Sequence, residues 1–295
     1  MADLVSNLTT TTIGAVFIAE HWAKEAQLAT RKEQVLAGTV STKYESDMKS
    51  GRTLHIAHVL NQAATAKADG TQVVPDANTP SNQDISVTRY FYTATNWGSM
   101  LQTQADIVDI NKIAGQFGYA LQGQVETDLA GLPDGLSTNT VGTFGQELTM
   151  DQWEEVWQKL QTGLAPRDNR TVWLSSAAVS AWRKLGVTIS SDYSKTGFGA
   201  LDAGTIGMFL GMKMVESQYL EAPATGQHDC VAFHRDQFGL IRQQQPKIER
   251  ERILLDLADL VVGWELFVTY ETEIIAEAAG AETLTDAYGV WIKTV

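Results

Sequence analysis

The sequence predicts an α+β fold, and three observations predict it. One long amphipathic helix runs through the middle of the 295-residue chain, two β-rich runs precede it, and a long alternating strand comes near the end. The helix is expected from Thr103 to Leu132. Ile110, Ile113, Ala114, Phe117, Leu121, Val125 and Leu129 recur at steps of three and four, so they share one face. Thr103 with Asp106 resembles a capping-box start, and Pro133-Asp134-Gly135 stops the helix. At a rise of about 1.5 Å per residue the rod is roughly 40 Å long, a spine for other elements to lie across.

The elements follow in order. Met1 to Gly14 is polar and threonine-rich, with no apolar face of its own. Val16 to Val40 carries a helical signal in Phe17, Trp22, Ala26, Ala29 and Val35. Thr53 to Val59 and Ile85 to Thr93 read as two strands of a long hairpin, with Leu60 to Asp84 as its tip. An isolated two-stranded hairpin is marginal in water. The hairpin and the N-terminal stretch are therefore two core-poor extensions, each needing another surface.

After the spine comes a compact α/β region. Thr149 with Gln152 opens a helix whose stripe is Trp153, Val156, Trp157 and Leu160. Arg170 to Ser175 is a strand and Ser176 to Leu185 a helix, followed by a Ser/Gly/Tyr loop over Val187 to Gly204. Ile206 to Ser217 reads as a strand broken by Gly207 and Gly211, and Cys230 to Phe233 as another strand. A turn or short helix is expected at Asp236 to Ile241, then a charged connector from Pro246 to Arg252. Leu260 to Glu271 alternates as a half-buried strand, and Gly289 to Val295 closes the chain as a short one.

Composition narrows the function. At 44% hydrophobic and 19% charged, the chain fits a globular class. A net charge of −13 argues against a dedicated nucleic-acid binder, because phosphate neutralisation needs Lys and Arg. The single Cys230 cannot form an intrachain disulfide and suits a reducing compartment. The start lacks a signal-peptide pattern. Ile253 to Val268 carries Asp256, Asp259 and Glu265, which makes it a poor membrane span.

Catalytic signatures are missing. No Gly-Lys-Ser/Thr phosphate loop and no Gly-x-Ser-x-Gly elbow occurs, and Gly197, Gly199 and Gly204 are too widely spaced for a dinucleotide fingerprint. His55 and His58 would point to opposite strand faces. His228, Cys230 and His234 lack a second thiolate or a carboxylate to complete a metal set. Glu271 and Glu273 would share one strand face, as a glycosidase pair might, but they and Glu154-Glu155 read rather as solvated acids. No catalytic, cofactor or metal residue is assigned.

Short motifs in a fixed order then resemble a known family. Trp22, Glu25, Val35 and Val40 lead to Tyr44-Glu45, Gly51, Thr53-Leu54 and Ile56. Val172-Trp173-Leu174-Ser175-Ser176, Gly204-Thr205-Ile206-Gly207, Leu210-Gly211-Met212, Met214 and Ser217 follow. Ala232-Phe233-His234-Arg235-Asp236 and Ala258-Asp259-Leu260-Val261-Val262-Gly263-Trp264 complete the set. The order resembles tailed-bacteriophage major capsid proteins of the Hong Kong 97-type fold.

That resemblance implies an N-terminal arm over residues 1–50 and an extended β-hairpin loop over 51–93 lying on a neighbouring subunit. It implies a peripheral domain with the spine helix over 94–135, an axial α/β domain over 136–244, and peripheral return strands over 245–295. It implies a homo-oligomer of pentamers and hexamers, forming an icosahedral shell around double-stranded DNA and assembled in the host cytoplasm. A portal, a separate scaffolding protein and a cement or decoration protein are the expected partners, with no cofactor and no membrane. Trp22, Tyr44, Arg52, Arg89 and Tyr90 are the expected inter-subunit residues, by their place in the extensions and the interface preference for aromatics and arginine. Asp106, Asp109, Glu126 and Asp128 would give the spine an acidic face toward packaged DNA. Lys67, the single lysine of the loop, has no matched partner for a crosslink. An encapsulin-like compartment resembles the same fold. A tail or accessory protein and a soluble α/β enzyme are the remaining alternatives.

Overall fold

The chain is described by a computed structural model over residues 32–58, 64, 66–73, 81–99, 110–185, 207–220, 228–254, 256–276 and 283–294. Two sheets and the spine helix make up its frame. The first sheet has three antiparallel strands in the order β3 (Arg89–Gly98), β10 (Ala258–Glu271) and β9 (Phe238–Ile253). The central strand β10 is the alternating stretch of the sequence. Val261, Gly263, Glu265 and Phe267 are buried on one face, while Leu260, Val262, Trp264 and Leu266 are half-buried on the other. A methyl group on Gly263 would touch Phe117 of the spine, so the first face lies against the helix.

The spine helix, α1, covers Ile110–Ala130. Phe117, Leu121, Val125 and Leu129 are buried along it, four residues apart as the spacing requires. Each such side chain stabilises by about 1.5–3 kcal/mol when taken from water. The helix stops where Pro133 enters a 3₁₀ turn over Leu132–Gly135. The expected start at Thr103 and Asp106 lies outside the described residues.

The second sheet has six strands in the order β4 (Thr140–Gly142), β13 (Gly289–Thr294), β8 (His228–His234), β5 (Arg170–Leu174), β7 (Met212–Glu216) and β6 (Met208–Phe209). Both faces are covered. Val172, Leu174, Cys230, Ala232, Val290 and Ile292 pack with α2 (Met150–Thr162) and α3 (Ser176–Lys184). Trp173, Val231 and Phe233 pack on the other side with Val125 and Leu129 of the spine and with Leu36 and Val40. This double burial explains why β5 and β8 read as unbroken apolar runs. Thr149 and Gln152 close a full capping box on α2, and Ser175 caps α3 by accepting the Ala178 amide at 3.2 Å.

The structure departs from the sequence reading in four places. The second hairpin run divides at Val87–Thr88. β2 (Ser81–Ser86) pairs with β1 (Thr53–His58), whereas β3 leaves to pair with β10. Phe238 to Ile253 is one strand of 16 residues, not a turn and a connector. Pro246 fits there because the ladder slips between Trp264 and Leu266, leaving it outside the pairing. Met208 to Glu216 is a tight hairpin turning at Leu210 and Gly211, whose φ values of 48° and 77° suit a primed turn. Lys32 to Val40 is not helical. The rest of the expected N-terminal helix and the Val187 to Gly204 loop lie outside the described residues.

Glycine at 239 answers a close approach. Gly239 sits opposite Tyr270 in the β9–β10 ladder, and Ser41 bridges it from the other side. A Cβ there would enter the Tyr270 ring. Gly239→Ala is expected to destabilise the subunit by about 1–3 kcal/mol through overpacking, measured by chemical denaturation. Wild-type stability in that variant would refute the packing argument.

Candidate assembly interface

The end of the N-terminal segment is held by one acid of the spine. Glu126 is 1% exposed, and its carboxylate accepts the amides of Val35 at 3.2 Å, Leu36 at 2.8 Å and Ala37 at 3.0 Å. Successive amides pointing at one anion form a nest, which holds a buried charge without a cation. Amides spent this way cannot bond carbonyls four residues back, so no continuous helix runs through Val35 to Ala37. Thr39 adds a bond from its hydroxyl to Leu36 O at 2.7 Å. Ser41 then donates its amide to Phe238 O and accepts the Leu240 amide, both at 2.9 Å. The segment therefore joins the edge of β9.

This corrects the acidic face expected on the spine. Glu126 is buried and engaged rather than facing outward. Asp128 is close to Arg89, with Arg89 Nε 3.2 Å from its Oδ2, and accepts from Gln124 at 3.1 Å. Asp106 and Asp109 lie outside the described residues.

Among the described residues the hairpin β1–β2 is seated on the subunit by one face. Ile85 and Val87 pack with Met48, Ile241, Val268 and Tyr270, and Leu54 and Ile56 lean on that cluster. Gln83 fixes the base by donating to Glu271 O at 2.7 Å and accepting the Glu273 amide at 3.2 Å. On the other face of the same stretch Thr53, His55 and Ala57 are exposed. His55 pairs with Asp84 across the strands, and that contact holds the Asp84 carboxyl below its usual range. Lys67 is exposed.

The expected interface residues separate. Tyr44 is half-buried, its ring 6.4 Å from that of Tyr270. Arg89 turns to Asp128 within the chain. Arg52 is exposed, and Tyr90 is 60% exposed with an edge contact to Trp264 at 5.8 Å. Trp22 lies outside the described residues. Tyr92, 70% exposed, shares the face of Tyr90 and Trp264 and was missed. Period-two spacing from Tyr90 was the available signal.

The candidate reactive groups are built into the packing. Cys230 is fully buried, and burial pushes its thiol up to about 11, away from a nucleophilic thiolate. His234 is also buried, which lowers its pKa. Glu155 pairs with Lys159 one turn along α2, at 3.5 Å. Glu273 lies beyond the end of β10, so it does not share a regular strand face with Glu271. No group of three or more His, Cys, Asp or Glu among the described residues could hold a metal.

Glu271 has a different partner. Burial pushes its carboxyl up to about 7; Asp286 adds to the shift, and Gln237 opposes it by donating at 3.0 Å. Gln237 is fully buried; it also accepts the Tyr288 amide at 3.2 Å, and its carbonyl takes the Thr272 amide at 2.7 Å. Glu271 thus sits where the end of β10 meets the start of β13. A carboxyl with a raised folded pKa binds more protons folded than unfolded between its two pKa values. Subunit stability is therefore expected to fall as pH rises from about 5 through about 7. Glu271→Gln should flatten that profile in denaturation at several pH values. An unchanged profile would remove Glu271 as its source.

Comparison with known proteins agrees with this geometry at the level of fold. No protein-family model matches the chain. No curated protein matches it in sequence. Solved structures do match. A chain of mycobacterium phage Che8 superposes with a TM-score of 0.77 at 21% identity, covering 94% of this chain and 97% of that one. A chain of the capsid of cyanophage P-SCSP1u gives 0.73 at 15% identity, covering 98% and 96%. A chain of the mature capsid of bacteriophage PhiM1 gives 0.70 at 11% identity, covering 94% and 91%. The class is thus an α+β phage-capsid fold. More narrowly, the chain has the tailed-phage major capsid protein fold along nearly its whole length.

Proposed function

We propose that this chain is the major structural subunit of a tailed bacteriophage capsid. It assembles with copies of itself, as pentamers and hexamers, into an icosahedral shell around double-stranded DNA, and it has no catalytic role. The single observation that carries this reading is the likeness to phage capsid chains over 94% to 98% of this chain and 91% to 97% of theirs. A likeness of that extent includes the hairpin and the segment before it, elements with little core of their own.

The parts take the roles the resemblance implies. Residues 1–50 serve as the N-terminal arm and 51–93 as the extended loop lying on a neighbour. Residues 94–135 with the return strands of 245–295 form the peripheral domain, and 136–244 the axial domain. The closing strand β13 pairs with β4 and β8 in the six-stranded sheet. Exposed Arg52 and Tyr90 are the contact residues the geometry leaves available. Tyr44 is half-buried, Arg89 is exposed while paired with Asp128, and Trp22 belongs to the arm. A portal, a separate scaffolding protein and a cement or decoration protein complete the particle. The setting is the virion capsid, assembled in host cytoplasm.

Negative-stain electron microscopy of the purified chain, alone and with its scaffolding protein, tests this directly. Closed shells tens of nanometres across with five- and six-fold clusters are expected. A persistent monomer under both conditions would overturn the proposal.

A further inference from the structure

Among the described residues, seven cations pair with acids of the same chain. Arg89 pairs with Asp128, Lys159 with Glu155, Lys184 with Glu147, Arg242 with Glu265, Lys247 with Glu249, and both Arg250 and Arg252 with Asp259. Among the described cations outside those pairs, three meet in one place. A cleft of about 620 Å³ opens between the loop before β5, the β6–β7 hairpin and the turn at Gly38-Thr39. Arg167, Lys213 and Arg235 line it and are exposed. Among the described residues none of the three forms an ion pair with an acid.

Arg170 adds a fourth positive charge to the wall but is itself buried. Its Nε donates to Pro166 O at 2.7 Å and its Nη2 to Ala165 O. Burial lowers its pKa, and the neighbouring Arg167 charge lowers it further. Asp168 is the one acid of the cleft among the described residues, and it accepts from Asn169 at 3.2 Å. Four cations against one acid is a concentration opposite in sign to a chain of 35 acidic and 22 basic residues. Like charges gathered at one wall repel until an anion enters.

We propose that this cleft is the docking site for carboxylates on a second copy of the same chain. The inference rests on the shell reading, because a shell places copies side by side. Each copy offers a surplus of acids, so the cleft is complementary to its own kind. The rim favours protein over phosphate. Met208 lines the cleft and is 74% exposed, and Met and Arg are enriched at protein–protein contacts. A nucleic-acid backbone would leave that thioether unused. The contact joins unlike surfaces of two copies, which closes into rings when the rotation permits.

Two measurements decide it. In the first, subunits with natural and heavy nitrogen are mixed and treated with a carbodiimide, which joins an amine to a carboxylate in direct contact. Mixed-isotope peptides linking Lys213 to an Asp or Glu are expected, and their absence overturns the proposal. In the second, Arg167→Glu with Lys213→Glu is compared with wild type. The double variant should keep its monomer melting temperature and need at least about tenfold more protein to assemble, a shift of about 1.4 kcal/mol. Shells that form at the wild-type concentration overturn the proposal, and if they also lose nucleic acid the cleft is a phosphate site. Wild-type chain that forms no shells refutes the shell reading instead, and the crosslink, which needs only two copies in contact, still decides the cleft.

Discussion

The arrangement of the subunit depends on one buried carboxylate. Glu126 sits on the face of the spine next to Val125, where an acid would ordinarily be excluded, and it is stable there because three consecutive amides converge on it. The bond sets direction as well as energy. It turns the chain so that Leu36 and Val40 enter the cluster with Trp173, Phe233 and Phe238. It then delivers Ser41 to the edge of β9. An uncharged apolar residue at 126 would leave those amides without an acceptor inside a packed region, at about 1–3 kcal/mol for each unsatisfied group. The N-terminal segment is thus seated by polar geometry together with its apolar contacts.

A second buried charge marks the place where the three-stranded sheet is irregular. Glu265 is fully buried on β10, and its Oε1 lies 3.2 Å from Arg242 Nε on β9. Burial pushes the Glu265 carboxyl up, and the guanidinium pulls it back. Such a pair contributes little net stability, since desolvation offsets the attraction. Its position is the informative part. The β9–β10 ladder shifts register between Trp264 and Leu266 and again between Leu266 and Phe267, beside the pair and beside Pro246. Two charges that meet in one register oppose the slippage to which long strands are prone. The strand pairing is held by a specific contact as well as by pattern.

How much of this was legible in the sequence follows from which force acts at each residue. The spine, the capping box at Thr149 and the alternation from Leu260 to Glu271 are written by burial and local hydrogen bonding, which act at fixed spacing. The Val87 break was not legible, because apolar and polar residues keep alternating while the partner strand changes from β1 to β10. Pro246 to Arg252 imitates a connector, because an edge strand with an exposed side carries charge and tolerates proline. Glu126 was misread as a solvent-facing acid because its three partners lie about ninety residues earlier. The cationic cleft was invisible for the same reason. Arg167, Lys213 and Arg235 come from three separate elements and meet only in the fold.

The two sheets are finished to different degrees, and that difference bears on assembly. The six-stranded sheet has both faces covered by its own chain, with α2 and α3 on one side and the spine end with Leu36 and Val40 on the other. The three-stranded sheet has one face on the spine, while the far stretch of its other face presents Tyr90 and Tyr92 to solvent at 60% and 70% exposure. The tip between β9 and β10 exposes Leu254 at 76% and Leu257 at 63%. A single chain therefore holds a buried core, yet leaves apolar surface and one face of a two-stranded hairpin open to contact. Surfaces of this kind are individually modest, so no one of them commits a subunit irreversibly. In the proposed shell, closure would add them over many copies and make the whole more stable than any pair of its subunits.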